Sequence, residues 1–96
     1  MKTKLPFNPT HPGEMLLEEF LKPMGISQVE FASHLGVSFK RINEIVNGRR
    51  AISPETAWLF SQALGTTPQF WMNLQTTYDL VHHKADHNVR LLKCAV

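Results

Sequence analysis

The chain has a single cysteine, Cys94. No internal disulfide can form, so a packed core must hold the fold, and such cysteine usage suits a reducing compartment. No apolar run approaches the roughly 20 residues that cross a bilayer, and the N-terminus lacks the apolar stretch of a signal peptide. These absences exclude a membrane role and point to the cytoplasm. Net charge is small, +2, so overall charge says little about partners. There is no HExxH and no Cys–His framework. His82, His83 and His87 crowd near one end, and His83 and His87, four apart, could share a helix face. Histidines at a helix end more often answer the negative terminus than a metal, so no metal site is expected. His34 has no catalytic pairing and Cys94 no activating neighbours. The reading is a protein with no catalytic residue and no cofactor. Repeats, low-complexity tracts and strong strand patterns are also missing.

What is present organises itself around Ser27–Gly48, SQVEFASHLGVSFKRINEIVNG. Ser27 and Glu30 have the spacing of a capping box, and Ile26 and Phe31 that of a hydrophobic staple. Ser38 can cap a second helix, with Val37 and Ile42 at its staple positions. Between them Leu35-Gly36-Val37 offers a turn residue free to take positive φ. Two short helices joined at Gly36 make a helix–turn–helix, with Ala32 small enough for close approach. Over Phe39–Val46, Ile42, Ile45 and Val46 share one face, while Lys40, Asn43, Glu44 and Asn47 project away. An exposed Lys and Asn suit a DNA major groove: Asn pairs with adenine, Lys reaches guanine O6 and N7.

The distribution of charge agrees. Residues 38–50 hold Lys40, Arg41, Arg49 and Arg50 against Glu44 alone, whereas the first helical stretch holds Glu14, Glu18 and Glu19 against Lys22. One face should be positive. The base-facing candidates are Ser38, Phe39, Lys40, Asn43 and Glu44. Glu44 has two readings, a bond to cytosine N4 or an intrahelical ion pair with Lys40. Ser27 and Gln28, at a helix start, and Arg41, Arg49 and Arg50 are the phosphate candidates; the alternative for each is solvation.

Ninety-six residues make one domain. Residues 1–9 read as an N-terminal arm, with Lys2 and Lys4 either touching phosphate or a partner, or solvated. Residues 10–87 form the helical domain and 88–96 a tail. Helix 1 should run from about Pro12 to Lys22, ended by Pro23 and Gly25. Helix 4 begins at Ser53-Pro54-Glu55 and reaches Gly65; with Trp58, Leu59, Phe60, Ala63 and Leu64 it is apolar nearly all round, hence central or shared with a partner. Helix 5 begins at Thr67-Pro68 and ends between Val81 and His87. Its Phe70, Trp71 and Tyr78 read as core or dimer interface rather than a ligand cage; with Leu74 they are the candidate dimer interface, because a dimeric DNA reader needs its two reading helices about 34 Å apart. Val89, Leu91 and Leu92 fit a short strand or a frayed helix.

Three ordered blocks, HPGEMLLEEFLKPMGIS, KRINEIVNGRRAISPETA and TPQFWMNLQTTYDL, resemble the HigA-like antitoxins of the XRE/Cro-type helix–turn–helix repressor superfamily. The resemblance spans about residues 11 to 81. It implies an all-α, five-helix, lambda-repressor-like domain. It also implies a homodimer that represses its own operon at a palindromic operator on double-stranded DNA and neutralises a RelE-like mRNA-cleaving toxin by direct binding. The alternative is a protein-binding module or stand-alone transcriptional regulator with no toxin partner. This chain departs from many members in having Phe39 at the start of the recognition helix, where it can pack on a thymine methyl, and Leu59 where a basic residue is common.

Overall fold

The computed structural model describes residues 9–93. These contain five helices and no strand: α1 (residues 12–24), α2 (Gln28–Leu35), α3 (Phe39–Val46), α4 (Pro54–Leu64) and α5 (Pro68–His82). Lys2, Lys4 and the rest of the expected arm, apart from Pro9, lie outside the described residues, as does Cys94.

Every helix starts as its local sequence dictates. Ser27 Oγ accepts from Glu30 N–H at 3.0 Å while Glu30 Oε1 accepts from Ser27 N–H at 2.9 Å, so the capping box is complete. Ser38, Ser53 and Thr67 cap α3, α4 and α5 in the same way through the N–H groups of Arg41, Thr56 and Phe70. Gly36, at φ 76°, turns the chain between α2 and α3 in the left-handed region that only glycine enters without strain. There Val37 N–H reaches back to the Ala32 carbonyl at 3.0 Å, closing the turn.

Helix α1 differs from expectation. It is α-helical over Pro12–Leu16, π-helical over Leu17–Leu21 and α-helical again over Lys22–Met24. It therefore runs past Pro23 and ends at Met24, two residues later than read from the sequence, with Gly25 as its left-handed cap. Proline normally stops a helix because it lacks an N–H and its ring strikes the carbonyl four residues back. Here Lys22 N–H bonds the Leu17 carbonyl, five residues back. That wider turn moves the upstream carbonyls aside and lets the helix continue through the proline.

The core gathers Leu16, Leu21, Ile42, Ile45, Phe60 and Trp71, all essentially without exposure. Phe60 meets the Trp71 ring edge-on at a centroid distance of 5.2 Å, and Phe31 and Phe20 extend the cluster. Trp71 Nε1–H donates to Thr66 Oγ1 at 2.7 Å, satisfying the one polar atom of the indole. Trp71 is thus a core residue and cannot line a dimer interface; its place in α5 points inward. Helix α4 is central through Thr56, Ala57, Phe60 and Ser61, yet leaves Trp58 exposed.

Helix α5 ends at His82, so His83 and His87 share no helix face. The described histidines, Asp and Glu form no group of three or more able to hold a metal ion. Residues 88–93 are neither the strand nor the frayed helix expected; they are irregular and exposed.

Candidate nucleic-acid interface

Helix α3 sits with Ile42 and Ile45 sealed into the core at 1% and 0% exposure. Burial of that face forces the opposite one outward. Phe39 is 48% exposed, an uncommon placement for a phenyl ring, and Ser38 and Lys40 are exposed beside it. The Lys40 side chain makes no hydrogen bond or ion pair among the described residues. The start of the helix therefore offers a cation and an aromatic ring to whatever approaches.

The rest of the polar face is held in place by its neighbours. Asn43 Nδ2 donates to Gln28 Oε1 at 3.0 Å, and Asn43 Oδ1 accepts from Asn47 Nδ2 at 3.2 Å. The first bond couples the start of α2 to the middle of α3 and fixes the angle between them. It leaves Asn43 and Gln28 less free to contact DNA than their positions alone imply. Glu44 pairs with Arg50 at 3.0 Å, not with Lys40. The reason is reach: the 47–50 turn folds Arg50 back over the last turn of α3. This pair partly neutralises Arg50, one of the expected phosphate contacts, and leaves the Arg49 side chain exposed with no partner among the described residues.

Arg41 also differs from its expected role. Its guanidinium donates to Thr56 Oγ1 at 2.6 Å and to Glu55 Oε1 at 3.3 Å, with the side chain 23% exposed. It docks α3 on the first turn of α4 and is not held free for a phosphate. Ser27 Oγ is likewise engaged in capping α2, so any anion contact there falls to backbone N–H groups.

Three residues that shape this surface escaped the sequence reading. Gly13 lies in the first turn of α1 where α1 crosses α3; a Cβ there would overlap the carbonyl of Ile45. A glycine inside a helix costs about 1 kcal/mol relative to alanine, which is the signal that a packing reason exists. His11 caps α1, its Nδ1 accepting from Gly13 N–H at 2.9 Å, and meets the Tyr78 ring edge-on at 4.8 Å. Burial holds the imidazole below the ordinary histidine pKa of 6.5, with Asp79 and Glu14 opposing that shift. Gln75 is buried in α5; its Oε1 accepts from Ile52 N–H at 2.7 Å and its Nε2 donates to Asp79 Oδ1 at 2.9 Å. The loop carrying Arg49 and Arg50 is thereby pinned to α5. A glutamine four residues after Trp71, on the same side of the helix, was the available clue.

The comparisons with known proteins agree with this geometry. The helix-turn-helix family model matches residues 17–71. Virulence-associated protein I of Dichelobacter nodosus is 51% identical over 70 residues, 73% of this chain and 65% of that protein, so the chain spans a little under two thirds of its length. Antitoxin HigA-1 of Vibrio cholerae is 42% identical over 72 residues, 75% of this chain and 68% of that protein. Among solved structures, the Pseudomonas aeruginosa antitoxin HigA with the higBA promoter superposes with a TM-score of 0.83 at 38% identity, covering 88% of this chain and 99% of that one. No described helix is long and apolar enough to cross a membrane. The chain belongs to the XRE-type helix–turn–helix family of DNA-binding, non-enzymatic regulators, among its HigA-like antitoxins.

Proposed function

We propose that this protein is a cytoplasmic antitoxin that binds a RelE-like mRNA-cleaving toxin and represses the operon encoding both. The observation that supports the DNA half most directly is α3: sealed beneath by Ile42 and Ile45, it presents outward Phe39 and Lys40, whose side chain has no partner among the described residues. Inserted into a major groove, Lys40 would donate to guanine O6 or N7 and Phe39 would cover a thymine methyl. Ser38 sits at the same end. Asn43, fixed by Gln28, keeps one amide hydrogen for a base, while Glu44 and Arg50 act as a pair that shapes the groove-facing edge. Arg49 and the N-terminal turn of α2 around Ser27 and Gln28 would bind phosphate. A homodimer would place two such readers on a palindromic operator, and occupancy of the promoter would block transcription.

Trp58, 57% exposed on α4 with Leu59 half-buried beside it, favours a protein partner for that face. The toxin is the partner we assign to it.

The deciding experiment is a mobility-shift titration on the DNA upstream of the protein's own gene at several salt concentrations. Sequence-selective binding that weakens with salt is the expected result; equal affinity for scrambled DNA would overturn the reading. Co-expression with the adjacent open reading frame tests the other half. A partner that copurifies, and is toxic when expressed alone, is expected.

A further inference from the structure

We propose that neutral His11 is a positioning residue for DNA reading: it holds the end of α3 and the turn bearing Arg49 in place, and protonation of its imidazole releases them. This rests on the operator-binding reading above and adds a pH response to the same site.

The imidazole stands where three elements meet, buried at 9% exposure. On its own side it caps α1, Nδ1 accepting from Gly13 N–H at 2.9 Å. Gly13 is the residue on which α1 crosses α3, so close to the Ile45 carbonyl that a Cβ would overlap it. From the turn after α3, Gly48 faces the ring: His11 Cδ2 lies 4.0 Å from where a Cβ on Gly48 would stand. From α5, Tyr78 meets the ring edge-on at 4.8 Å and stacks in turn on His82 at 4.1 Å.

The chemistry of the cap decides what a proton does. Nδ1 accepts only while it carries no hydrogen; an imidazolium donates from both nitrogens. On protonation Nδ1–H would meet Gly13 N–H, donor against donor. The ring must then turn or leave, and Gly48 and Tyr78 bound the room it has. The charged groups around it direct the movement. Glu14 faces it from α1 and Asp79 from α5, while Arg49 of the turn is exposed and His82 lies beyond Tyr78. Asp79 Oδ1 already accepts from Gln75 Nε2 at 2.9 Å, and Gln75 holds the Ile52 N–H. An imidazolium drawn to Asp79 disturbs both attachments of the 47–52 loop at once, the contact at Gly48 and the anchor at Ile52. Burial disfavours the charge and keeps the event below pH 6.5, with Asp79 and Glu14 opposing that shift. DNA reading should therefore be complete above pH 6.5 and fall as pH drops through the folded pKa of His11.

The test is operator binding by the full chain at pH 7.5 and pH 5, for wild type, His11→Asn and His11→Ala. Asparagine keeps a capping oxygen but takes up no proton. The variant also retains His34, His82, His83 and His87, so their titration cancels in the comparison. At pH 7.5 His11→Asn should bind as the wild type does. At pH 5 the wild type should be weaker than His11→Asn by about threefold or more. His11→Ala, with no acceptor, should bind more weakly at both. Parallel pH profiles for wild type and His11→Asn would overturn the proposal. A second readout needs no DNA: in an NMR titration of the free chain, the amides of Ile45, Gly48 and Arg49 should shift with the midpoint of the His11 ring. Amides that stay still while the ring titrates would overturn it as well. If they shift but the chain ignores its operator at every pH, the DNA reading fails and the coupling of His11 to the turn stands.

Discussion

At the scale of single residues, Gly13 sets the position of the DNA-reading helix. Gly13→Ala should stabilise by about 1 kcal/mol if helix propensity alone mattered. The overlap with the Ile45 backbone reverses the sign, because neither helix axis can shift without disturbing the core. A net loss of about 1–3 kcal/mol is expected in denaturant unfolding. His11 makes a second residue-level prediction. Its folded pKa lies below the unfolded value of 6.5, so the unfolded chain binds more protons. The stability it contributes is present above pH 6.5 and is lost as pH falls through the folded pKa. His11→Asn, which keeps a capping acceptor, should flatten the acid slope of the thermal midpoint between pH 7 and pH 5. Lys40→Ala should cost operator affinity about 1–3 kcal/mol and relax the preference at a single base pair, read by titrating singly mutated operators.

At the scale of elements, the two helices of the motif are joined by more than their turn. Gln28–Asn43 fixes α2 against α3, Arg41–Thr56 fixes α3 against α4, and Gln75–Ile52 fixes the following loop against α5. Each bond joins a side chain to an element distant in sequence, so the reading surface inherits the rigidity of the core. Gln75→Met would leave the buried Ile52 N–H without an acceptor, at a cost of about 1–3 kcal/mol. Operator affinity should fall further than stability explains, since the loop bearing Arg49 is released. Binding measured well below the unfolding midpoint separates the two effects. The π-helical stretch of α1 has a similar logic: Lys22 and Met24 continue a helix that Pro23 would otherwise have ended.

At the scale of the whole molecule, charge asymmetry carries more information than net charge. Arg49 and Lys40 are exposed and unpaired among the described residues, whereas Arg41 and Arg50 are spent on Glu55 and Glu44. On the proposed dimeric reading, in which Arg49 holds one phosphate per copy, Arg49→Ala should remove that contact from each. The slope of log affinity against log salt should therefore fall by about two, with little change in sequence preference. Loss of preference with an unchanged slope would place Arg49 on a base.

The chain itself determined whatever depends on neighbours a few residues away: four Ser or Thr caps, the Gly36 turn and the inward set of Ile42 and Ile45, because capping and helical periodicity are local. The same locality made the recognition helix and its outward Phe39 and Lys40 legible. Tertiary structure decided the rest. Trp71, which periodicity leaves open to core or interface, lies in the core, since an apolar stripe names a side of the helix but not its partner. Arg41, Arg50 and Glu44 found ion partners that only the crossing of α3, α4 and the 47–50 turn brings within reach. Gly13, His11 and Gln75 matter through contacts with residues 23 to 67 positions away, Ile45, Tyr78 and Ile52, and such separations leave no periodic trace in sequence.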